Sequence, residues 1–221
     1  MNKLCGVIRT LEETAVGSIR ANAFQFAEFA GAPPDQKLAI ARLRARPGGG
    51  FDPYAALRHA ITQLHRDGFP ADVLRAKLRT TNVRNVDLVY SFDKYLSWLG
   101  SRPFKWLENE SPRAWSSPNV TVPITADVTL SLRGKTYVIK PYFKVNALDS
   151  RTADNVLHML GTAYAAEAAA GARLLVLDIG RELPFFNPHT VSAASIVFLE
   201  AEAASFEFMV RGLQAQAKRI A

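Results

Sequence analysis

Residues 134–144, GKTYVIKPYFK, are the stretch from which the fold of this chain can be worked out. Apolar and polar side chains alternate there with a period of two, which predicts a β-strand. Successive side chains of a strand point to opposite faces of the sheet, so one face carries Tyr137, Ile139, Pro141 and Phe143. The other face combines a valine with a tyrosine and two lysines: Val138, Lys140, Tyr142 and Lys144.

The neighbouring residues extend this strand into an α/β pattern. Residues 128–132 alternate in the same way, and Arg133-Gly134 is a tight-turn signal, so we expect an antiparallel hairpin, with residues 120–125 as a further strand. An alanine-rich segment, residues 147–171, predicts a helix capped by Asp149 or Ser150. The apolar run 172–180 predicts a buried strand, and a long helix over about 191–218 closes the chain.

The first half of the chain is predicted to be helical. Apolar residues recur at helical spacing from about Leu4 to Phe29, and further helices are expected at 36–44, 53–67, from Pro70 onward, and at 86–99. The segment RPGGG, residues 46–50, is predicted to be a hinge because three glycines and a proline cannot continue a helix. We therefore expect a helical region, residues 1–118, and an α/β core, residues 119–221, built on a small mixed sheet flanked by helices.

The order of the core elements resembles the PD-(D/E)XK nuclease-like superfamily, with its restriction-endonuclease-like topology. The resemblance covers about residues 119–180: a strand that begins at Asp127, a hairpin, a second strand, a helix and an apolar strand. In that family the first Asp and an acidic residue of the second strand bind a divalent cation, and a lysine assists the attacking water. Asp127 matches the first position.

The sequence departs from the family pattern at the other two positions. Lys140 stands at the acidic position and Tyr142 at the lysine position, with Lys144 two residues further on. An ammonium group would repel a divalent cation, and a Mg²⁺ site needs about two carboxylates. We therefore expect the remnant of a catalytic site, with no cofactor. Mg²⁺ would bind, through Asp127, only if substitute carboxylates come from Asp149, Asp154 or Glu108.

The positive charge of the protein lies mainly in its first half. The net charge is +7, and residues 1–118 hold 17 Lys and Arg against 11 Asp and Glu, whereas residues 119–221 hold 10 against 9. This asymmetry favours an anionic partner, and nucleic acid is the commonest candidate. Two groups of basic residues are the predicted contacts: Arg42, Arg44 and Arg46 before the hinge, and Arg75, Lys77, Arg79 and Arg84 further on.

Two further features have both a functional and a structural interpretation. Three tryptophans and Phe104 lie near basic residues, where they could stack on unpaired bases, but core packing explains them as well. Asp178 and Glu182 follow the predicted buried strand, where ligands often bind in α/β sheets. For these two acids we favour a strand-end turn with solvated charges.

Composition also bears on the compartment. Cys5 is the only cysteine, so no intramolecular disulfide is possible. No apolar run reaches the roughly 18 residues of a membrane span. We expect a cytoplasmic protein with no membrane partner.

Three functions remain open at this point. The first is a nucleic-acid-binding protein on a degenerate, inactive nuclease-like scaffold. The second is an active metal-dependent nuclease with relocated carboxylates. The third is an assembly subunit without nucleic acid, which forms a homodimer or binds a protein partner. Its interface would be the alanine-rich helix Ala153–Ala170 or the C-terminal helix, which carries Phe198, Phe206 and Phe208.

Overall fold

A computed structural model describes residues 18–45, 52–81, 83, 86–108, 111–118, 120–186 and 192–220. Its helices are α1 (Ala23–Gly31), α2 (Pro34–Ala45), α3 (Ala55–Arg66), α4 (Ala71–Thr80), α5 (Leu88–Leu99), α6 (Ser150–Ala163), α7 (Ala165–Ala169) and α8 (Ala193–Ile220). Its strands are β1 (Ile19–Arg20), β2 (Lys105–Trp106), β3 (Ala114–Ser116), β4 (Val120–Pro123), β5 (Val128–Leu132), β6 (Lys135–Tyr142), β7 (Arg173–Asp178) and β8 (Leu183–Phe186). The protein is thus of mixed α/β class, as predicted.

A five-stranded mixed sheet lies at the centre, in the order β2-β5-β6-β7-β8. β5 and β6 form the predicted antiparallel hairpin, and α6 and α7 connect β6 to the parallel strand β7. Arg133 and Gly134 both have positive φ, 51° and 75°, which is the geometry of a two-residue type I′ turn. This turn fixes the hairpin register, with Val128 opposite Ile139.

A smaller sheet, in the order β1-β4-β3, packs beside the central one. β4 was expected in the same sheet as the hairpin, but it pairs instead with β1 and β3. Val120, Val122 and Ile124 are buried in the small sheet. The same alternation of apolar and polar residues would suit a place in the central sheet. Periodicity therefore predicted the strand and could not predict its partners.

The central sheet separates two hydrophobic cores. Val138, Tyr142, Leu174 and Val176 point to one face, where they pack with α1, α6, α8 and the small sheet; we call this the α6-side core. Val128, Leu130, Ile139, Leu175 and Leu177 point to the other face, towards α3, α4 and α5; we call this the α5-side core. The alternation predicted for residues 134–144 is confirmed by this division.

Several predicted elements differ from those observed. The helix expected from Leu4 to Phe29 cannot be continuous, because Ile19–Arg20 is a strand paired with β4 and Asn22 caps α1 with its side chain. The helix expected over 147–171 is divided at Tyr164 into α6 and α7, while Asp149 caps its start as predicted. Three short strands, β2, β3 and β8, were missed, since two to four residues are too few to show a period.

The two predicted regions contribute strands to the same sheets. β1 and β2 come from residues 1–118 and pair with β4 and β5 of residues 119–221. The predicted hinge 46–50 lies outside the described residues, as do Cys5, Arg46 and Arg84. In the part of the chain that the structure describes, none of the helices has the length and hydropathy needed to cross a membrane.

Candidate functional site

The β5–β6 hairpin brings Asp127 and Lys140 together. The amide N–H of Asp127 donates to the carbonyl of Ile139, 3.2 Å away, which holds Asp127 just before β5 and beside the end of β6 that carries Lys140. The ammonium of Lys140 lies 2.9 Å from Oδ2 of Asp127 and donates to the carbonyl of Thr125, also at 2.9 Å. Oδ2 of Asp127 is buried and accepts no hydrogen bond from the described part of the chain. Its contact with Lys140 is therefore an ion pair without hydrogen-bond geometry.

A second cation reaches the same carboxylate from α3. Nε of Arg58 lies 3.5 Å from Oδ1 of Asp127, and the Arg58 guanidinium also pairs with Asp52 and packs over the ring of Phe143. Two carboxylates and two cations thus form a group with no net charge. We call Asp52, Arg58, Asp127 and Lys140 the ion-pair cluster.

The ion-pair cluster is a poor place for a divalent cation. The side chains of Asp127 and Lys140 are only 13% and 16% exposed, so their attraction is screened less than that of a surface pair. A metal ion at Asp127 would have to displace the ammonium and the guanidinium, or bear their repulsion at short range. In the described residues, no three His, Cys, Asp or Glu side chains are grouped closely enough to hold a metal ion.

The three carboxylates proposed as substitute metal ligands, Asp149, Asp154 and Glu108, are not members of the ion-pair cluster. Asp149 accepts a hydrogen bond from the amide of Thr152 at the start of α6. Burial alone would raise its pKa, but the hydrogen bonds from Thr152 and neighbouring amides outweigh burial and lower the pKa. Asp154 lines an open cleft of about 360 Å³ between α6 and α8, beside Arg151 and His158. Glu108 is exposed at the end of β2, where its charge acts on Arg66.

Tyr142, at the lysine position of the family pattern, is a core residue. It is 3% exposed, and its ring meets Phe24 edge-on at 5.0 Å between centroids. Burial raises its pKa to about 12, and the nearby carboxylates of Glu28 and Asp178 add to this effect. The phenol therefore stays protonated at neutral pH. Lys144 lies beyond the end of β6 and pairs with Glu28 on α1.

Asp178 is fully buried, so the expectation of a solvated charge there was wrong. Its Oδ2 accepts from the amide of Leu148 at 3.0 Å, and its Oδ1 accepts from the amide of Arg181 at 3.2 Å. The carboxylate therefore fixes two loops at the end of β7. Glu182 accepts from Lys94 and Ser97 of α5, and the hydrogen bond from Lys94 is the main reason that its pKa is lowered.

The two groups of predicted nucleic-acid-binding residues lie on opposite sides of the central sheet. α2 packs in the α6-side core through Ala41, whereas α4 packs in the α5-side core through Leu74 and Leu78. In the described part of the chain, Arg42 and Arg79 are exposed and have no ion-pair partner. The other three have contacts of their own: Arg44 donates to the carbonyl of Arg20, Arg75 pairs with Asp93, and Lys77 lies 3.4 Å from the side-chain oxygen of Gln63.

The tryptophans differ in exposure. Trp115 is buried against Phe26, and Trp106 stacks on His65, whose Nε2 lies 2.6 Å from the hydroxyl of Tyr95. Trp98 is only partly buried and stacks on Phe104 at 6.1 Å. The interpretation as core packing therefore holds fully for Trp115 and leaves Trp98 accessible.

Sequence reasoning missed Arg58 and Asp52 as members of the ion-pair cluster. No motif or spacing links α3 to the hairpin, since they are about 70 residues apart in sequence. A comparison with models of known protein families finds no match, and a comparison with curated protein sequences finds none either.

Proposed function

We propose that this protein binds nucleic acid without cleaving it, on a nuclease-like scaffold whose catalytic position is taken by an ion pair. The observation that carries the proposal is the Lys140–Asp127 pair, in which a lysine ammonium stands where the resemblance places a metal-binding carboxylate. The hairpin, the helical crossover and the parallel strand β7 occur in the order that the resemblance implies, which supports a restriction-endonuclease-like topology.

The charge of the protein supports nucleic acid as the partner. The net charge is +7, and several exposed cations of the described chain, Arg42 and Arg79 among them, have no acidic partner. Lysines and arginines that are free of internal ion pairs can neutralise phosphates and release condensed counterions. The ion-pair cluster, in contrast, is neutral, so we expect it to contribute little to affinity.

The proposal is tested by titrating fluorescent single- and double-stranded DNA and RNA with the protein over a salt series, with and without Mg²⁺ or Mn²⁺. The same samples are then analysed for cleavage. We expect affinity that falls steeply with salt, with intact strands under all conditions. Metal-dependent cleavage that is lost in Asp127→Ala would instead establish the active nuclease. The absence of binding even at low salt would overturn nucleic-acid binding altogether.

A specific observation favours a second candidate function, assembly through α8. Leu199, Ala203, Phe206 and Val210 pack in the α6-side core. On the opposite face of the helix, Val197 and Phe208 are 64% and 80% exposed, with Ala201 and Ala204 between them. The spacing of these four residues, 4, 3 and 4, places them on one stripe of the helix.

We propose a second copy of the chain as the occupant of this stripe, because small central residues let two helices approach closely. Light scattering during size exclusion tests it: the wild type should elute as a dimer at high concentration and Phe208→Ser as a monomer. A monomeric wild type at 100-fold above the assay concentration for nucleic acid would rule out self-assembly through α8.

A further inference from the structure

The β5–β6 turn and its neighbours form a second charged surface, at the end of the sheet opposite the ion-pair cluster. Lys105 of β2 pairs in register with Ser131, Arg133 forms the turn, Lys135 begins β6, and Arg173 begins β7 opposite Tyr137. All four side chains are exposed. We call these residues the turn-end cations. Lys135 lies five positions before Lys140 on the same strand, a distance of about 16 Å.

The turn-end cations have no acidic partner in the part of the chain that the structure describes. Within the described residues none of the four takes part in an ion pair. The segments that carry them, residues 102–107, 129–137 and 171–175, contain no Asp or Glu. Glu167, whose carbonyl accepts from the amide of Ala172, has its own carboxylate engaged by Arg113 at 2.6 Å. Four positive charges within three strand spacings, about 14 Å, are therefore available to an anionic ligand.

Aromatic rings line the same end of the sheet. Trp98 stacks on Phe104, and Phe104 meets Tyr137 edge-on at 6.5 Å between centroids. All three rings are only partly buried against the α5-side core. Tyr137 shares a sheet face with Lys135 and Arg173, because alternate residues of one strand and paired residues of neighbouring strands point the same way. Lys135 and Arg173 therefore occupy one surface with the accessible rings, while Lys105, which pairs through Ser131 with Thr136, reaches the same end of the sheet from the other face.

The backbone at the turn supports a role for Arg133 beyond the hairpin. A type I′ turn favours Asn or Gly at its first central position, and an arginine with φ 51° is uncommon there. Such a residue weakens the turn, and the structure around it offers the side chain no compensating ion pair among the described residues. A strained charged residue of this kind is more often found at a binding surface.

We propose that the turn-end cations, with Trp98, Phe104 and Tyr137, bind single-stranded nucleic acid. The cations contact phosphates, and the rings stack on unpaired bases, which a duplex keeps inside its own stack. An anionic membrane would use the charges and can accommodate Trp and Tyr rings at its interface. A single strand matches both features of this surface better, because phosphates and unpaired bases alternate along it. This inference rests on the proposed function and adds the form of the nucleic acid and its location.

The test uses anisotropy of fluorescent dT20 and of a matched 20-base-pair duplex over a salt series. One variant combines Lys105→Gln, Lys135→Gln and Arg173→Gln. A control variant of the same net charge combines Arg20→Gln, Lys218→Gln and Arg219→Gln, three exposed positions outside both predicted groups of contacts. We expect the first to lower dT20 affinity at least about tenfold and to reduce the salt slope by about 2, as three lost phosphate contacts on a single strand require. The control should stay close to wild type.

Two further variants separate binding from folding. Arg133→Asn suits the turn better, so it should raise the melting temperature and still weaken dT20 binding. Binding of dT20 should quench tryptophan fluorescence, and Trp98→Phe should remove most of that quenching while dT20 remains bound. If Arg133→Asn raises the melting temperature and leaves the affinity for dT20 unchanged, Arg133 is not part of the binding surface.

The outcomes distinguish this inference from the proposed function. If the wild type does not bind dT20 or duplex at low salt, both fail. If both triple variants lose affinity equally, or if the duplex binds more tightly than dT20, the protein still binds nucleic acid but the turn-end surface is wrong. Turn-end-dependent binding to phosphatidylserine vesicles with none to dT20 or to the duplex would assign the surface to a membrane and overturn both.

Discussion

Lys140 and Asp127 face each other across the β5–β6 hairpin, with 2.9 Å between the ammonium nitrogen and Oδ2. Each is paired with a charge of opposite sign at a position that is mostly shielded from water. Removal of one partner therefore leaves the other charge desolvated and without a counter-charge. The free-energy cost of this is larger than the contribution of the intact pair to stability.

A double-mutant cycle should reveal this dependence. We expect Asp127→Asn and Lys140→Met each to lower the free energy of unfolding by about 2–3 kcal/mol. The double variant should lose less than the sum of the two, with a coupling energy of about 1–2 kcal/mol. Urea unfolding of the four proteins measures it. Additivity within about 0.5 kcal/mol would show that the two residues do not stabilise each other.

Lys140→Glu should create affinity for a divalent cation. The substitution replaces the ammonium with a second carboxylate beside Asp127, which is the pair that Mg²⁺ and Mn²⁺ require. We expect millimolar MnCl2 to raise the melting temperature of this variant and not that of the wild type, because a ligand that binds the folded state stabilises it. Lys135→Glu, with the same charge change at an exposed position of the same strand and no Asp or Glu in residues 129–137, is the matched control. A wild type that responds to Mn²⁺ as strongly would contradict our account of the ion-pair cluster.

His65 should make stability depend on pH in the acidic range. Its ring is stacked on Trp106 next to Tyr95, and burial lowers its pKa from 6.5 to about 4. Between these two values the unfolded chain binds a proton that the folded protein does not, so stability falls as pH decreases from 6.5 to about 4. The stability that the uncharged His65 ring contributes is fully present above pH 6.5.

Urea unfolding at pH 7 and pH 4.5 measures the effect. Between these two pH values, the free energy of unfolding of the wild type should fall by about 2 kcal/mol more than that of His65→Gln. This figure is set below the value for the full pKa shift because the ring is partly exposed to solvent. His59→Gln, at an exposed position of the same helix, serves as the control and should follow the wild type. Equal losses in wild type and His65→Gln would mean that this ring is protonated in the folded state.

Two phenylalanines of α8, two residues apart, should respond in opposite ways. Phe206 is fully buried against Phe26 and Phe29, whereas Phe208 is 80% exposed. We expect Phe206→Ala to cost about 3–5 kcal/mol of stability and Phe208→Ala less than about 0.5 kcal/mol in the monomer. Thermal unfolding at low concentration compares them. A large loss in Phe208→Ala under those conditions would indicate that the monomer uses that ring.

The periodic elements could be predicted from sequence because their side chains report burial. Residues 134–144 alternate, and the structure divides them between two cores as the period requires. The two-residue turn indicated a hairpin that brings Asp127 towards the Lys140–Lys144 end of the second strand, whereas the exact register came from the structure. Residues 172–180 were predicted as a buried strand because β7 has a core on each face.

The remaining features depend on contacts between distant parts of the chain. β1 and β2 have two residues each, and only their partners β4 and β5 stabilise them as strands. Arg58 reaches Asp127 from a helix whose position the sequence does not encode locally. The turn-end cations come from three strands, so they form a group only after the sheet order is known.

The central sheet is the element that the two cores have in common. β6 and β7 are hydrogen-bonded on both sides and covered on both faces, so their amides can meet water only when both helical layers separate. Hydrogen exchange there should report global unfolding, while β1 and β2 exchange through local opening. The two layers should accordingly melt in a single cooperative transition, even though a sheet lies between them.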